Sequence, residues 1–224
     1  MGINPKYIFK IEDIYDLTQE DINEINNDSL KNLEWKDGYT NFKLNIRKHL
    51  KLKQNNRCAF CRCRVSIGTS YSNLEHLVSK TDYPQFKFFP KNLVYCCVKC
   101  NLAKVRKNTI YNALEEKNDQ LFPENSSGFT IVNPYHDNYQ DHFDFIDNLI
   151  IVVIDNSDKG KETIKLYSLA RPELAEERAY ELNIDKATAN EKLMHILTLP
   201  DLQEETIEQI EKVINELPNW VIED

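Results

Sequence analysis

The sequence predicts an α+β fold: a small metal-stapled core, helices before it, and a C-terminal region of short strands followed by helices. Three observations predict it. Two C-x-x-C pairs, Cys58/Cys61 and Cys97/Cys100, bracket thirty-five residues, enough for a small subdomain between them. Apolar segments at 143–146 and 149–154, split by turn residues, read as strands. From Lys159 onward the apolar residues recur at helical spacing. Three regions follow: an N-terminal helical segment (1–40), the core (41–120), and the C-terminal strands and helices (121–224).

In chain order, residues 1–12 read as an extended or flexible start. Thr18-Gln19-Glu20-Asp21 offers an N-cap, and Ile22, Ile25, Leu30 and Leu33 form a partial apolar stripe, so an acidic helical segment is expected before Gly38. Residues 41–54 read as a second helix, with Phe42, Ile46, His49 and Leu50 and, less regularly, Leu44 and Leu52 on its apolar side. His49 has no motif partner and reads as a packing residue. Asn55-Asn56 ends this helix, and the first cysteine turn follows at once.

Between the cysteine pairs, 71–74 is expected as a strand leading into Glu75-His76, and 92–96 as a second strand. The aromatic, basic loop holding Tyr83, Phe86, Phe88 and Phe89 seals the small core more readily than it stacks on bases. A helix is expected over 98–107, with Arg106 and Lys107 near phosphate, and a helical continuation over 108–117. Pro123 to Gly128 is the best linker candidate. Strands are expected at 129–132, 143–146 and 149–154, with turns at Asn133-Pro134 and Asp147-Asn148. His136 and His142 suit structural roles better than a second metal site. Pro172 starts a long helix reaching Leu197, and a last helix spans 201–217, with Pro200 and Pro218 as punctuation.

Two thiolates at i and i+3 face one ion from a tight turn, and two such turns close the tetrahedral four-cysteine site that Zn2+ favours. The alternative is disulfides or buried free thiols. The N-terminus carries no secretory pattern and the cysteines cluster, so metal-bound thiolates are expected. Cys63 and Cys96 are surplus to this set and read as packing or supporting thiols.

Phosphodiester hydrolysis needs a divalent ion to stabilise charge and a base to activate water. A carboxylate and an amide oxygen suit Mg2+, and a neutral imidazole suits the base. Glu75, His76 and Asn101 supply those groups. Adjacent strand residues point to opposite faces, so Glu75 and His76 need a bulge or a strand end to share one site.

Cys58–Cys61, Glu75-His76, Asn92-Leu93-Val94 and Cys97–Cys100-Asn101-Leu102-Ala103-Lys104 together resemble the zinc-bound HNH (ββα-metal) endonucleases. The resemblance covers about a quarter of the chain. It implies that His76 is the general base, that Glu75 and Asn101 hold a catalytic Mg2+ or Mn2+, and that Asn92 braces the histidine loop. The four cysteines would hold structural Zn2+ away from the chemistry. Thr81-Asp82-Tyr83-Pro84-Gln85-Phe86 stands where that family usually has glycines.

A narrower resemblance rests on Asn133-Pro134, His142-Phe143-Asp144-Phe145, Glu162-Thr163-Ile164 and Arg171 to Arg178. These are similar to the PtuB-type HNH nucleases, which act in Septu-type anti-phage systems and some retrons beside a PtuA-type ATPase. That family more often has Asp-Pro where this chain has Asn-Pro. The resemblance implies an ATPase partner and a partner-facing role for the acidic flanks. No G-x-x-x-x-G-K-S/T loop is present, so the chain itself is not expected to hydrolyse ATP.

The chain has a net charge of −8, with 28 basic and 36 acidic residues. Between Asn41 and Ile110, however, fifteen residues are basic and two acidic. Such a block around the motif is an electrostatic footprint for a phosphate backbone, and DNA is the expected partner. No apolar run approaches a membrane span, so a cytoplasmic protein is expected. A non-catalytic zinc-knuckle module binding nucleic acid is the alternative, but it has no use for Glu75, His76 and Asn101 together.

Overall fold

The computed structural model describes residues 7–30, 33–65, 72–104, 107–111, 113–114, 117–199 and 204–216, except the side chain of Glu205. Among them the fold is α+β, with seven α-helices and two separate two-stranded antiparallel sheets.

The expected start leaves a 3₁₀ turn at Tyr7, and Tyr7, Phe9 and Ile11 alternate into the core. The Ile11 N–H donates to Pro134 O and the Tyr139 N–H to Phe9 O, so this segment lies along the 134–139 loop. Helix α1 (Gln19–Ile25) begins at the expected N-cap: Thr18 and Asp21 close a reciprocal capping box. Its stripe differs from the expected one. Ile22 is exposed and Asp21 is buried, because the Asp21 carboxylate accepts from Tyr15 Oη at 2.6 Å and Asn45 Nδ2 at 3.0 Å.

Helix α2 (Thr40–Lys53) starts behind Tyr39, a left-handed residue with no capping side chain. Glu24 of α1 supplies the cap instead, accepting from the Phe42 and Asn41 N–H groups at 2.7 and 3.2 Å. Phe42, Ile46 and Leu50 form the buried face, whereas Leu44 and Leu52 point to solvent. They sit off the 3.6-residue stripe that the other three define. His49 is a packing residue, with its ring against Tyr15 and Nε2 bonded to Asp13 O.

Strands β1 (Ser72–His76) and β2 (Leu93–Cys97) pair antiparallel, with Glu75 opposite Val94 and His76 opposite Leu93. Helix α3 (Val98–Lys104) follows β2 directly. Tyr71 and Arg106 lie outside the described residues, as do Pro200 and Pro218; Lys107 is exposed.

The 107–142 stretch departs from expectation. No α-helix runs over the described part of 108–117, because Asn108 bonds both N–H and C=O of Ile110 and Thr109 Oγ1 donates to Leu77 O. Nor is 129–132 a strand. It makes an isolated bridge from Phe129 to Ile110, and the Val132 N–H turns to Thr163 Oγ1. At Gly128 a Cβ would lie 2.3 Å from Pro123 Cβ, so only glycine permits this close turn. Lys159 Nζ ties the same turn down by bonding Ser126 O and Oγ.

Strands β3 (Phe143–Ile146) and β4 (Ile150–Val153) form the expected second hairpin, turning through Asp147 and Asn148, both left-handed. Helix α4 (Asp158–Tyr167) is capped by Ser157, and α5 (Pro172–Glu181) begins at its proline. The single helix expected to Leu197 is two. Asn183 is left-handed, the Ile184 N–H closes back on Ala179 O, and Asp185 caps α6 (Lys186–Ile196) through the Thr188 N–H. Helix α7 (Glu204–Glu216) follows.

The largest apolar cluster draws on residues from Tyr7 to Leu174, and stacks Phe60 of the first cysteine turn on Tyr167 of α4 at 3.6 Å. A second cluster packs α5, α6 and α7 on Leu149 and Ile150. A third joins Val78, Tyr83 and Phe86 to Ile110 and Phe129, so two of the loop aromatics do seal a core; Phe89 is exposed. No helix among the described residues is long and apolar enough to cross a membrane.

Gln54 joins α2 to the sheet. It is fully buried, its Oε1 accepts from the Tyr95 N–H, and its Nε2 donates to Tyr95 O and Arg57 O. Replacing it by leucine strands those backbone groups and should cost about 1–3 kcal/mol of stability in urea denaturation.

Candidate metal centre and active site

The four cysteines come from two tight backbone features. Asn55 and Asn56 take left-handed conformations after α2, and the chain folds back so that the Cys58 N–H bonds Cys63 O. Cys97 ends β2 and Cys100 lies in the first turn of α3. The four sulfur positions fall within 4.8 Å of one another, and Cys61 Sγ lies 3.9 Å from Cys97 Sγ. Zn–S bonds of about 2.3 Å in a tetrahedron place sulfurs about 3.8 Å apart, so the donor set fits Zn2+ in chemistry and size. Among the described residues this is the one group of metal-ligating side chains; His136 and His142 join no other. Cys63 and Cys96 are buried outside the cluster, as supporting thiols would be.

Beside the β1–β2 hairpin opens a cavity of about 690 Å³ whose walls include Glu75, His76 and Asn101. His76 is the last residue of β1. The chain leaves the ladder there, and this strand end lets neighbouring side chains share one cavity despite the alternation of a strand. Lys36, Lys80, Lys87 and Lys104 also line it, beside Glu34. Burial, together with Lys80 and Lys43, holds the Lys87 ammonium below its ordinary value.

His76 Nε2 lies 3.0 Å from Lys87 O. A carbonyl only accepts, so Nε2 carries the proton and Nδ1 keeps its lone pair. Burial, then the nearby Lys80 charge, pushes the imidazole well below its usual range and keeps it neutral. Glu75 is held by Lys104, whose Nζ reaches Glu75 Oε1 at 2.7 Å and also bonds His76 O. Lys104 is itself buried, so its charge is matched in a low-dielectric place.

Asn92 does not line the cavity. It is fully buried behind it, accepting from the Val78 N–H at 2.7 Å and donating to Val78 O and Phe86 O at 3.0 Å each. It thus spans the glycine-free loop after His76, whose 3₁₀ turn Pro84–Phe86 is closed by the Phe86 N–H to Tyr83 O.

Trp35 is a cavity residue that the sequence did not single out. Its ring meets His76 edge-to-face at 4.6 Å, and Lys43 Nζ holds its backbone by donating to Trp35 O at 2.9 Å. Trp35 lies in the N-terminal segment with no motif around it, and only tertiary packing brings it to the histidine. The role of Lys104 was likewise illegible, although its position within the motif was plain. Of the basic residues on α2, Arg47 is structural, its Nη1 bonding Ser72 O and Oγ.

Asn92→Ala should cost about 2–3 kcal/mol by leaving the buried Val78 N–H unpaired, and should raise amide exchange selectively over 77–87. Exchange unchanged there would show that the loop does not depend on Asn92.

No family model matches the chain. Over 192 residues, 77% of the chain, it is 28% identical to Septu protein PtuB of Bacillus mycoides (strain KBAB4), covering 64% of that protein. Over 50 residues, 22% of the chain, it is 36% identical to Septu protein PtuB of Bacillus thuringiensis, covering 20% of it. The matched region spans less than two thirds of each relative, and the first similarity, over 77% of the chain, extends well beyond the motif between the cysteine pairs.

Proposed function

We propose that the chain is a metal-dependent endonuclease of the HNH type that hydrolyses DNA phosphodiester bonds. The observation that carries this reading is the convergence of Glu75, His76 and Asn101 on one lysine-lined cavity. A zinc-knuckle binding module would need the cysteines and the lysines, but not a buried, neutral histidine of defined tautomer beside a carboxylate and an amide. The similarity to Septu protein PtuB supports a place in a Septu-type anti-phage system beside a PtuA-type ATPase. On this reading the three regions 1–40, 41–120 and 121–224 are an N-terminal segment, a nuclease core and a partner or scaffold region.

Glu75 and Asn101 would hold the divalent ion. One carboxylate and one amide leave room for waters and phosphate oxygens, the habit of Mg2+ or Mn2+ in such sites. When bound, the ion stabilises charge on the leaving 3′-oxygen. His76 does the proton chemistry: Nδ1 takes a proton from water as the water oxygen bonds to phosphorus and the phosphorus–O3′ bond breaks. The Lys87 carbonyl holds the imidazole in the correct tautomer. Trp35 limits its rotation, and Asn92 fixes the loop that carries Lys87. Lys80 and Lys87 attract the phosphate backbone. Lys104 orients Glu75, and the four cysteines hold zinc apart from the reaction.

A positioned base contributes roughly 10²–10⁴ in rate, so His76→Ala should lose that factor in supercoiled-plasmid cleavage with Mg2+ or Mn2+. Cleavage at the wild-type rate would sink the assignment. Where the wild type alone is silent, the assay is repeated with a PtuA-type ATPase added; silence there too, with zinc bound, favours the binding module.

The pH profile offers a separate check. The neutral imidazole is the active form and its folded pKa is lowered, so kcat/KM should persist through pH 6.5 on the way down and fall only as pH drops through the lowered value. An acid limb centred at or above pH 6.5 would contradict the buried, lysine-flanked environment of His76.

A further inference from the structure

Three arginines, Arg62, Arg171 and Arg178, reach groups of the four-cysteine cluster, and among the described residues none of them pairs with a carboxylate. Arg62 and Arg178 are each about 1% exposed. Buried charge of this kind is costly unless an opposite charge answers it. Arg62 Nη1 donates to Cys58 O at 3.3 Å. Arg178 reaches Cys61 O through Nη2 at 3.4 Å and Leu149 O through Nη1 at 2.8 Å. Arg171 reaches a sulfur itself: Nη2 lies 3.4 Å from Cys100 Sγ, while Nη1 donates to Tyr167 O and Ser168 O at 2.9 Å.

We propose that Arg171 is a positioning residue of the zinc centre. Its guanidinium donates to the Cys100 thiolate from outside the coordination shell and, with Arg62 and Arg178, supplies the counter-charge that the buried cluster needs. This rests on the reading that the four cysteines hold zinc. Four thiolates around Zn2+ leave a net charge of −2, and these guanidiniums are the cations that surround it. The fork of Arg171 matters as well as its charge. One nitrogen is anchored on the end of α4 while the other faces sulfur, an arrangement a lysine with its single nitrogen does not reproduce. Arg171 and Arg178 are seven residues apart, two helical turns, so the N-cap and the last turn of α5 bear on the same centre. Glu181, one turn further, accepts from the Arg64 N–H and from Arg57 Nη1 beside the first cysteine turn. These contacts tie α5 to the cysteine cluster and to its first turn.

The test uses the full chain. Zinc content is measured by plasma mass spectrometry, zinc affinity and release by a chromogenic chelator, and Cys100 alkylation by iodoacetamide with peptide mapping. Groups that hydrogen-bond to metal ligands are typically worth about 10–100-fold in affinity, and Arg171→Ala should weaken zinc by that order and quicken Cys100 alkylation. Arg171→Lys, which retains the charge and is the variant to use if the alanine form does not fold, should still release zinc severalfold faster than the wild type. Glu181→Ala loosens α5 without touching sulfur and should leave Cys100 alkylation unchanged. Equal release and alkylation in wild type and both Arg171 variants would overturn the proposal, as would a Glu181→Ala chain that alkylates as fast as Arg171→Ala. A wild-type chain purified without zinc, and unable to take it up, would overturn the four-cysteine reading and this proposal with it.

Discussion

The convergence of four thiol groups from two distant turns is the constraint on which the molecule depends. A hairpin of two five-residue strands is marginal by itself in water. Here its second strand ends in the sulfur cluster, and its first strand is paired to it. The 58–61 turn stands against the end of β2, where Ala59 N–H donates to Tyr95 O. Through Phe60 the same turn stacks on Tyr167, and its carbonyl accepts from Tyr139 Oη. Segments widely separated in the chain thus meet around one compact centre.

On that frame the cavity is built mostly by buried polar contacts. Asn92 satisfies three groups of the loop after His76, and Lys104 answers the Glu75 carboxylate and the His76 carbonyl together. Buried networks of this kind are strong when every member is paired and costly when one is lost. The arrangement trades stability for a defined geometry: a histidine held at Nε2, walled by Trp35, and surrounded by positive charge. A nearby anion relieves the mutual repulsion of those lysines, which is the physical reason for reading the cavity as a phosphate site.

The sequence was most legible where the controlling interaction is local. The Thr18/Asp21 box, the asparagines after α2, the Asp147-Asn148 turn and Pro172 at the start of α5 each act within a few residues, and each lies where it was expected. It was least legible where a local signal competes with a distant partner. Asn183 and Asp185 carry a helix stop and a new cap, yet the apolar spacing on either side reads as continuous. The apolar run at 129–132 has strand composition but no neighbouring strand among the described residues, and the Thr163 side chain of α4 and the backbone of the 107–111 segment satisfy its backbone instead.

Sequence by itself marked the four cysteines that converge, because C-x-x-C spacing lets two sulfurs face one point from a tight turn. It also brought Glu75 beside His76, and it concentrated positive charge around them. Tertiary structure alone decided that the strand ends at His76, so that both side chains face one cavity with Asn101. It likewise decided that Trp35 closes on the imidazole and that Arg171 and Arg178 reach the cysteines from α5. Those pairings join residues far apart in the chain, and only the burial of apolar surface from both partners, which no local pattern records, brings them into contact.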